Sequence, residues 1–184
     1  VFRFNDAAIG GDFKKYVGER DDIRLVNGEF GSKVMNKQMN LTSDPIYVLL
    51  RPLRTQVAAA QQAAAQHPDA KIFLGSEKLA LLCSSMMRSV FGAAGKEMLT
   101  SGFLGLGLAL TVCDDVKAYG FADTPTSAKS FFHYYGEMMK GSAAHNDHHK
   151  SAIKEKVLWK RIASNADVDE TDITAMSGKR ACAK

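Results

Sequence analysis

The stretch Leu99–Ala122, LTSGFLGLGLALTVCDDVKAYGFA, constrains the fold more than any other part of the chain. Gly102, Gly105 and Gly107 punctuate an otherwise apolar run that ends at Cys113-Asp114-Asp115-Val116, and a strand-like segment, Val116–Phe121, follows. That order predicts a turn of small residues, a buried helix and then a strand. Such a turn leaves backbone N–H groups free to face an anion, which is how many phosphate sites are made. The glycines also let a helix lie close to a sheet. An α/β nucleotide site and a plain core helix are therefore both open readings. A dinucleotide fingerprint is not, because no G-x-G-x-x-G follows a strand here.

The rest of the chain alternates. Val1–Asn5, Ile23–Asn27, Ile46–Leu50 and Lys71–Leu74 read as short strands, the third stopped at Pro52. Val57–Ala65 is Ala/Gln-rich and predicts a solvated helix without chemistry, ended by His67-Pro68. Ser76 and Glu77 open a helix that runs through Leu79–Val90, with Met86 and Met87 on a packed face. Strand and helix alternating through Phe121 predict an α/β, Rossmann-like fold: a mostly parallel sheet with helices on both faces. In Ser151–Ala163 the apolar residues Ile153, Val157, Leu158 and Ile162 suit an amphipathic helix, with Trp159 on a neighbouring face. Residues 176–184 are expected to form a disordered tail.

An Asn directly after a buried strand sits where open α/β sheets bind ligands, at the carboxyl end, and Asn5 is thus a candidate to present its amide to a phosphate or ribose. A turn-capping side chain is the competing reading. At 184 residues the chain is long enough for one domain with a substantial core. Its net charge of +4 comes from scattered Lys and Arg without interleaved aromatics, which argues against a nucleic-acid partner. No apolar run is long enough to span a membrane. The chain opens at Val1 in strand-like sequence, so an anchor and a first strand are expected upstream. Cys83, Cys113 and Cys182 are an odd set without metal-ligand spacing.

These residues also carry a resemblance. Thr100-Ser101-Gly102, Leu106-Gly107-Leu108-Ala109-Leu110, Val112-Cys113-Asp114-Asp115-Val116 and Tyr119-Gly120-Phe121 resemble the small sialylmotif of the eukaryotic-type sialyltransferases, with Leu99 where a proline usually opens it. Val1-Phe2-Arg3-Phe4-Asn5, Val17-Gly18 and Ile23-Arg24-Leu25-Val26-Asn27 are similar to the later half of the large sialylmotif. That half departs at Ala8, where proline is usual, at Tyr16, where an acid is common, and at Asp21-Asp22, where threonines are common.

Four of the five histidines fall in one region: His133, His145, His148 and His149. Metal binding, a surface or core role, and acid–base work are all open to an imidazole. The resemblance favours the last. His133-Tyr134-Tyr135 looks like sialylmotif III, although Gly136 intervenes before Glu137. His145-Asn146 falls where the family's very small motif has its His, usually with a Glu five residues later, and Lys150 stands at that position. Glu155 is ten residues from His145; His149 and Glu155, six apart, are a weaker alternative pairing.

The resemblance implies a catalytic domain over residues 1–175, a variant GT-A-like glycosyltransferase fold, and transfer of sialic acid from CMP-sialic acid to a glycan hydroxyl on a glycoprotein or glycolipid. Inversion, no metal and no cofactor go with it. By the same resemblance His145 is the base and His133 balances charge on the departing CMP. Asn5, Thr100, Ser101, Gly102, Gly120 and Tyr134 hold the donor, and Cys113 pairs with a cysteine upstream of Val1. The setting implied is the Golgi lumen, in a type II membrane protein whose anchor lies upstream. Lys150 in place of the usual Glu leaves two alternatives: a CMP-sugar-binding homologue without turnover, and a transferase of another CMP-activated keto sugar such as Kdo.

Overall fold

The computed structural model describes residues 1–28, 33–34, 40–51, 54–92, 98–119, 152–162 and 174–177. They fall into two compact units, Val1–Ala80 and Leu81–Lys184.

The first unit is built on β1 (Phe2–Phe4), β2 (Ile23–Val26), β3 (Ile46–Leu49) and β4 (Lys71–Leu74). All neighbouring pairs are parallel, in the order β1-β2-β3-β4. A 3-10 turn (Gly11–Phe13) and the one-turn helix α1 (Lys14–Val17) connect β1 to β2; α2 (Arg54–Gln66) connects β3 to β4. In a parallel pair, register partners point to the same face. Val26 faces Leu49, and Tyr47 faces Ile72, so these four line one face. Ala60 and Ala63 of α2 pack into the same cluster, with Val34 beside them.

That packing corrects the expectation of a solvated α2. Gln61, Gln62 and Gln66 do face water, but Ala60 and Ala63 are buried. Alanine one turn apart lets the helix backbone come close to the sheet, and Tyr47 fills the space beneath it. The phenol is buried and its oxygen accepts the Thr42 N–H at 3.0 Å, so no polar atom is stranded.

The second unit contains α4 (Ser101–Val112), β5 (Asp115–Ala118), α5 (Ala152–Ile162) and β6 (Thr174–Ser177); α3 (Glu77–Phe91) crosses the boundary between the units. The turn–helix–strand order read from Leu99 onward is present. Phe103, Leu104, Gly105, Leu106 and Ala109 of α4 are buried, as suits a helix apolar on nearly every side.

Two expectations shift here. The strand after α4 was expected to extend the parallel sheet; instead β5 pairs antiparallel with β6 in a separate two-stranded sheet. Asp115 and Lys117 are exposed while Val116 and Ala118 are buried, the alternation of a strand wetted on one face and not of a strand covered on both. The pairing also brings Met176 and Ser177, from the expected tail, into register with Val116 and Asp115. Residues 178–184 lie outside the described residues. Among the described residues no helix is long and apolar enough to cross a membrane.

Candidate functional site

In the first unit, Asn5 stands at the carboxyl end of β1 with φ 49°, the left-handed region that Asn tolerates better than most residues. Three hydrogen bonds hold it there, and a fourth holds Ala7 beside it. Its N–H donates to Leu25 O at 2.8 Å, its Oδ1 accepts the Asn27 N–H at 3.0 Å, and Arg24 Nη1 donates to Asn5 O at 2.8 Å and Ala7 O at 3.1 Å. Arg24 is itself held by Asp21, whose Oδ2 accepts its Nε at 2.7 Å and also meets its Nη2. Asn5 therefore does cap the strand ends, as the competing reading had it. The cap uses the side chain's acceptor, Oδ1, on Asn27.

In the second unit, Thr100 is the N-cap of α4, and its Oγ1 accepts the Phe103 N–H at 3.1 Å. The small-residue turn thus opens a helix, as the sequence predicts. Glu155, on α5, meets it: Thr100 N–H donates to Oε1 at 2.7 Å and Thr100 Oγ1 donates to Oε2 at 2.5 Å. Glu155 is only 3% exposed. Phe103 and Trp159 stack beside it, ring centroids 4.6 Å apart and tilted by 42°.

Cys83 lies in the same neighbourhood. Burial and then the Glu155 charge push its thiol up to about 11. Cys83 and Cys113 are both free thiols. Cys113 is the C-cap residue of α4, donating its N–H to Ala109 O at 2.8 Å.

Ser101 and Gly102 form the first turn of α4, half-buried, where helix N–H groups lack partners within the helix. Gly120, His133, Tyr134 and His145 lie outside the described residues, as do His148, His149 and Lys150.

Sequence reasoning missed Glu155 as part of the turn. The signal was there: Glu155, Leu158, Trp159 and Ile162 follow the helical i, i+3, i+4, i+7 stripe. Glu155, Leu158 and Trp159 are the buried face of α5, while Val157, expected inside, is exposed. A carboxylate heading an apolar stripe needs a buried donor set, and Thr100 supplies it.

The four-stranded parallel sheet with helical connections makes this a Rossmann-like α/β protein. The family model of glycosyltransferase family 29 (sialyltransferase) matches residues 1–166, and the chain belongs to that family. It is similar to "Sialyltransferase-like protein 2" of Arabidopsis thaliana, 29% identical over 143 residues, covering 77% of this chain and 28% of that protein.

Proposed function

We propose that the chain carries the catalytic region of a transferase that moves sialic acid from CMP-sialic acid to a glycan hydroxyl, with inversion and without a metal. The observation that carries this reading is the family match across residues 1–166, which spans the capped strand end at Asn5, the turn at Thr100–Gly102 and the histidine region. The acceptor oxygen attacks the anomeric carbon as the bond from that carbon to the CMP phosphate oxygen breaks. The electron pair leaves with CMP, and a base takes the acceptor's proton. His145 is the proposed base, and His133 stabilises charge developing on the phosphate. A positioned base contributes about 10²–10⁴-fold, and preplaced donors at a developing oxyanion contribute comparably or more. Asn5, Ser101, Gly102, Gly120 and Tyr134 are proposed to hold the donor, with Thr100 shaping the turn.

A second assignment of the base has its own support. Glu155 is the acid bonded to the Thr100 turn, and counting back from it by the family's spacing of five reaches Lys150, next to His149, not His145. His149 is therefore the competing base. The setting we propose is the Golgi lumen, the anchor and the partner of Cys113 lying upstream.

The test is a transfer assay with CMP-sialic acid and CMP-Kdo on the wild type and on His133→Ala, His145→Ala and His149→Ala. Loss of turnover of at least 10²-fold in one of the last two, with CMP still bound, identifies the base. Binding without turnover by the wild type selects the non-enzymatic homologue, and turnover untouched in all three variants removes the histidine mechanism.

A further inference from the structure

We propose that Glu155 is a positioning residue: it locks the Thr100 turn and ties the helix that follows the histidine run to the donor side of the site. This rests on the donor reading above. A buried carboxylate costs several kcal/mol unless hydrogen bonds replace its water. Here both oxygens are used, one on the Thr100 N–H and one on its hydroxyl, and such charge-assisted bonds are among the stronger ones in proteins. The carboxylate also stands at the positive end of α4, which favours it further. Thr100 is left fully engaged: N–H and O–H go to Glu155, and Oγ1 accepts from Phe103.

Two consequences follow for the site. Thr100 acts through the turn and not by touching the donor, so Ser101 and Gly102 carry the contacts at α4. In addition, Glu155 is the fourth residue of α5, which starts at Ala152 just beyond Lys150. One pair of hydrogen bonds therefore holds the donor turn and the N-terminal part of α5 together. Misplacing a reacting group by about 1 Å can cost about 10²-fold, so a loosened lock reads out in catalysis as well as in binding.

The experiment compares wild type, Glu155→Gln, Thr100→Val and Thr100→Ser. It uses calorimetric titration of CMP, hydrogen exchange at the Ser101 and Gly102 amides, thermal melting, and donor KM and kcat with CMP-sialic acid. Expected for Glu155→Gln are a CMP Kd and a donor KM raised at least tenfold and faster exchange at both amides, in a protein whose circular dichroism spectrum is that of the wild type. Thr100→Val is expected to bind CMP at least tenfold more weakly than Thr100→Ser; this pair leaves the carboxylate in place, so it decides the matter if Glu155→Gln does not fold. Wild-type CMP affinity and unchanged exchange in Glu155→Gln, or equal affinity in the two Thr100 variants, overturns the lock. A wild type that fails to bind CMP overturns the donor reading instead, and the exchange comparison alone then settles whether Glu155 holds the turn.

Discussion

At Asn5 the structural role and the proposed donor role fall on different atoms. Its backbone is left-handed and its Oδ1 is used on Asn27, so an acceptor is needed for the fold, while the proposed donor contact would use the NH₂. Asn5→Asp keeps the acceptor and is expected to melt near the wild type yet bind CMP at least tenfold more weakly. Asn5→Ala loses the acceptor at a left-handed φ of 49° that Asn tolerates better than Ala, and is expected to lose about 1–3 kcal/mol in urea unfolding. Equal CMP affinity in Asn5→Asp would remove Asn5 from the donor site.

Cys83 gives a pH prediction at the same scale. Its folded value lies near 11 against 9.0 when unfolded. The folded state thus binds the proton more tightly, and this contribution is fully present below about pH 9. It is lost as pH rises through 11, so stability falls across that window, and in Cys83→Ala urea midpoints should show a weaker fall. At pH 8 the native thiol is expected to resist iodoacetamide until the protein is unfolded. Rapid native alkylation of Cys83 would contradict its placement.

At the level of elements, the sequence was legible where periodicity or a turn residue left one answer. Lys71–Leu74 has the boundaries read from its residues, and the helices after Ser76 and Thr100 start where small polar caps put them. Helix faces were harder to read. The Ala/Gln helix looks solvated because alanine is a weak hydrophobic signal, yet Ala60 and Ala63 are what a close helix–sheet contact needs. Enlarging that contact should be costly: Ala63→Leu forces a fully buried site apart and is expected to destabilise by about 1–3 kcal/mol. Gly75 tests the strand end in the same way. A β-carbon there would sit 2.8 Å from Leu49 O, which accepts the Gly75 N–H at 2.7 Å, so neither atom can give way without breaking that bond. Urea unfolding of Ala63→Leu and Gly75→Ala checks both, and wild-type midpoints would show that the packing is looser than described.

At the scale of the whole molecule, parallel pairing among the first four strands was legible because short apolar runs alternate with helical segments. The antiparallel β5–β6 pair was not, since nothing local in Thr174–Ser177 announces a partner so distant in sequence. The candidate residues differ in how local their signals are. Asn5 and the Thr100 turn stand out as a residue after a strand and a turn before a helix, whereas Glu155 needs a contact across 55 positions that no local pattern carries. Family membership rests on the family-model match over residues 1–166.

The most direct measurement of the central claim is calorimetric titration of CMP and CMP-sialic acid into the purified protein, followed on the same sample by transfer to a glycan acceptor. The account predicts saturable binding of both ligands, weakened by Ser101→Ala and by Asn5→Asp, and transfer with inversion. A folded protein that binds neither ligand would contradict it.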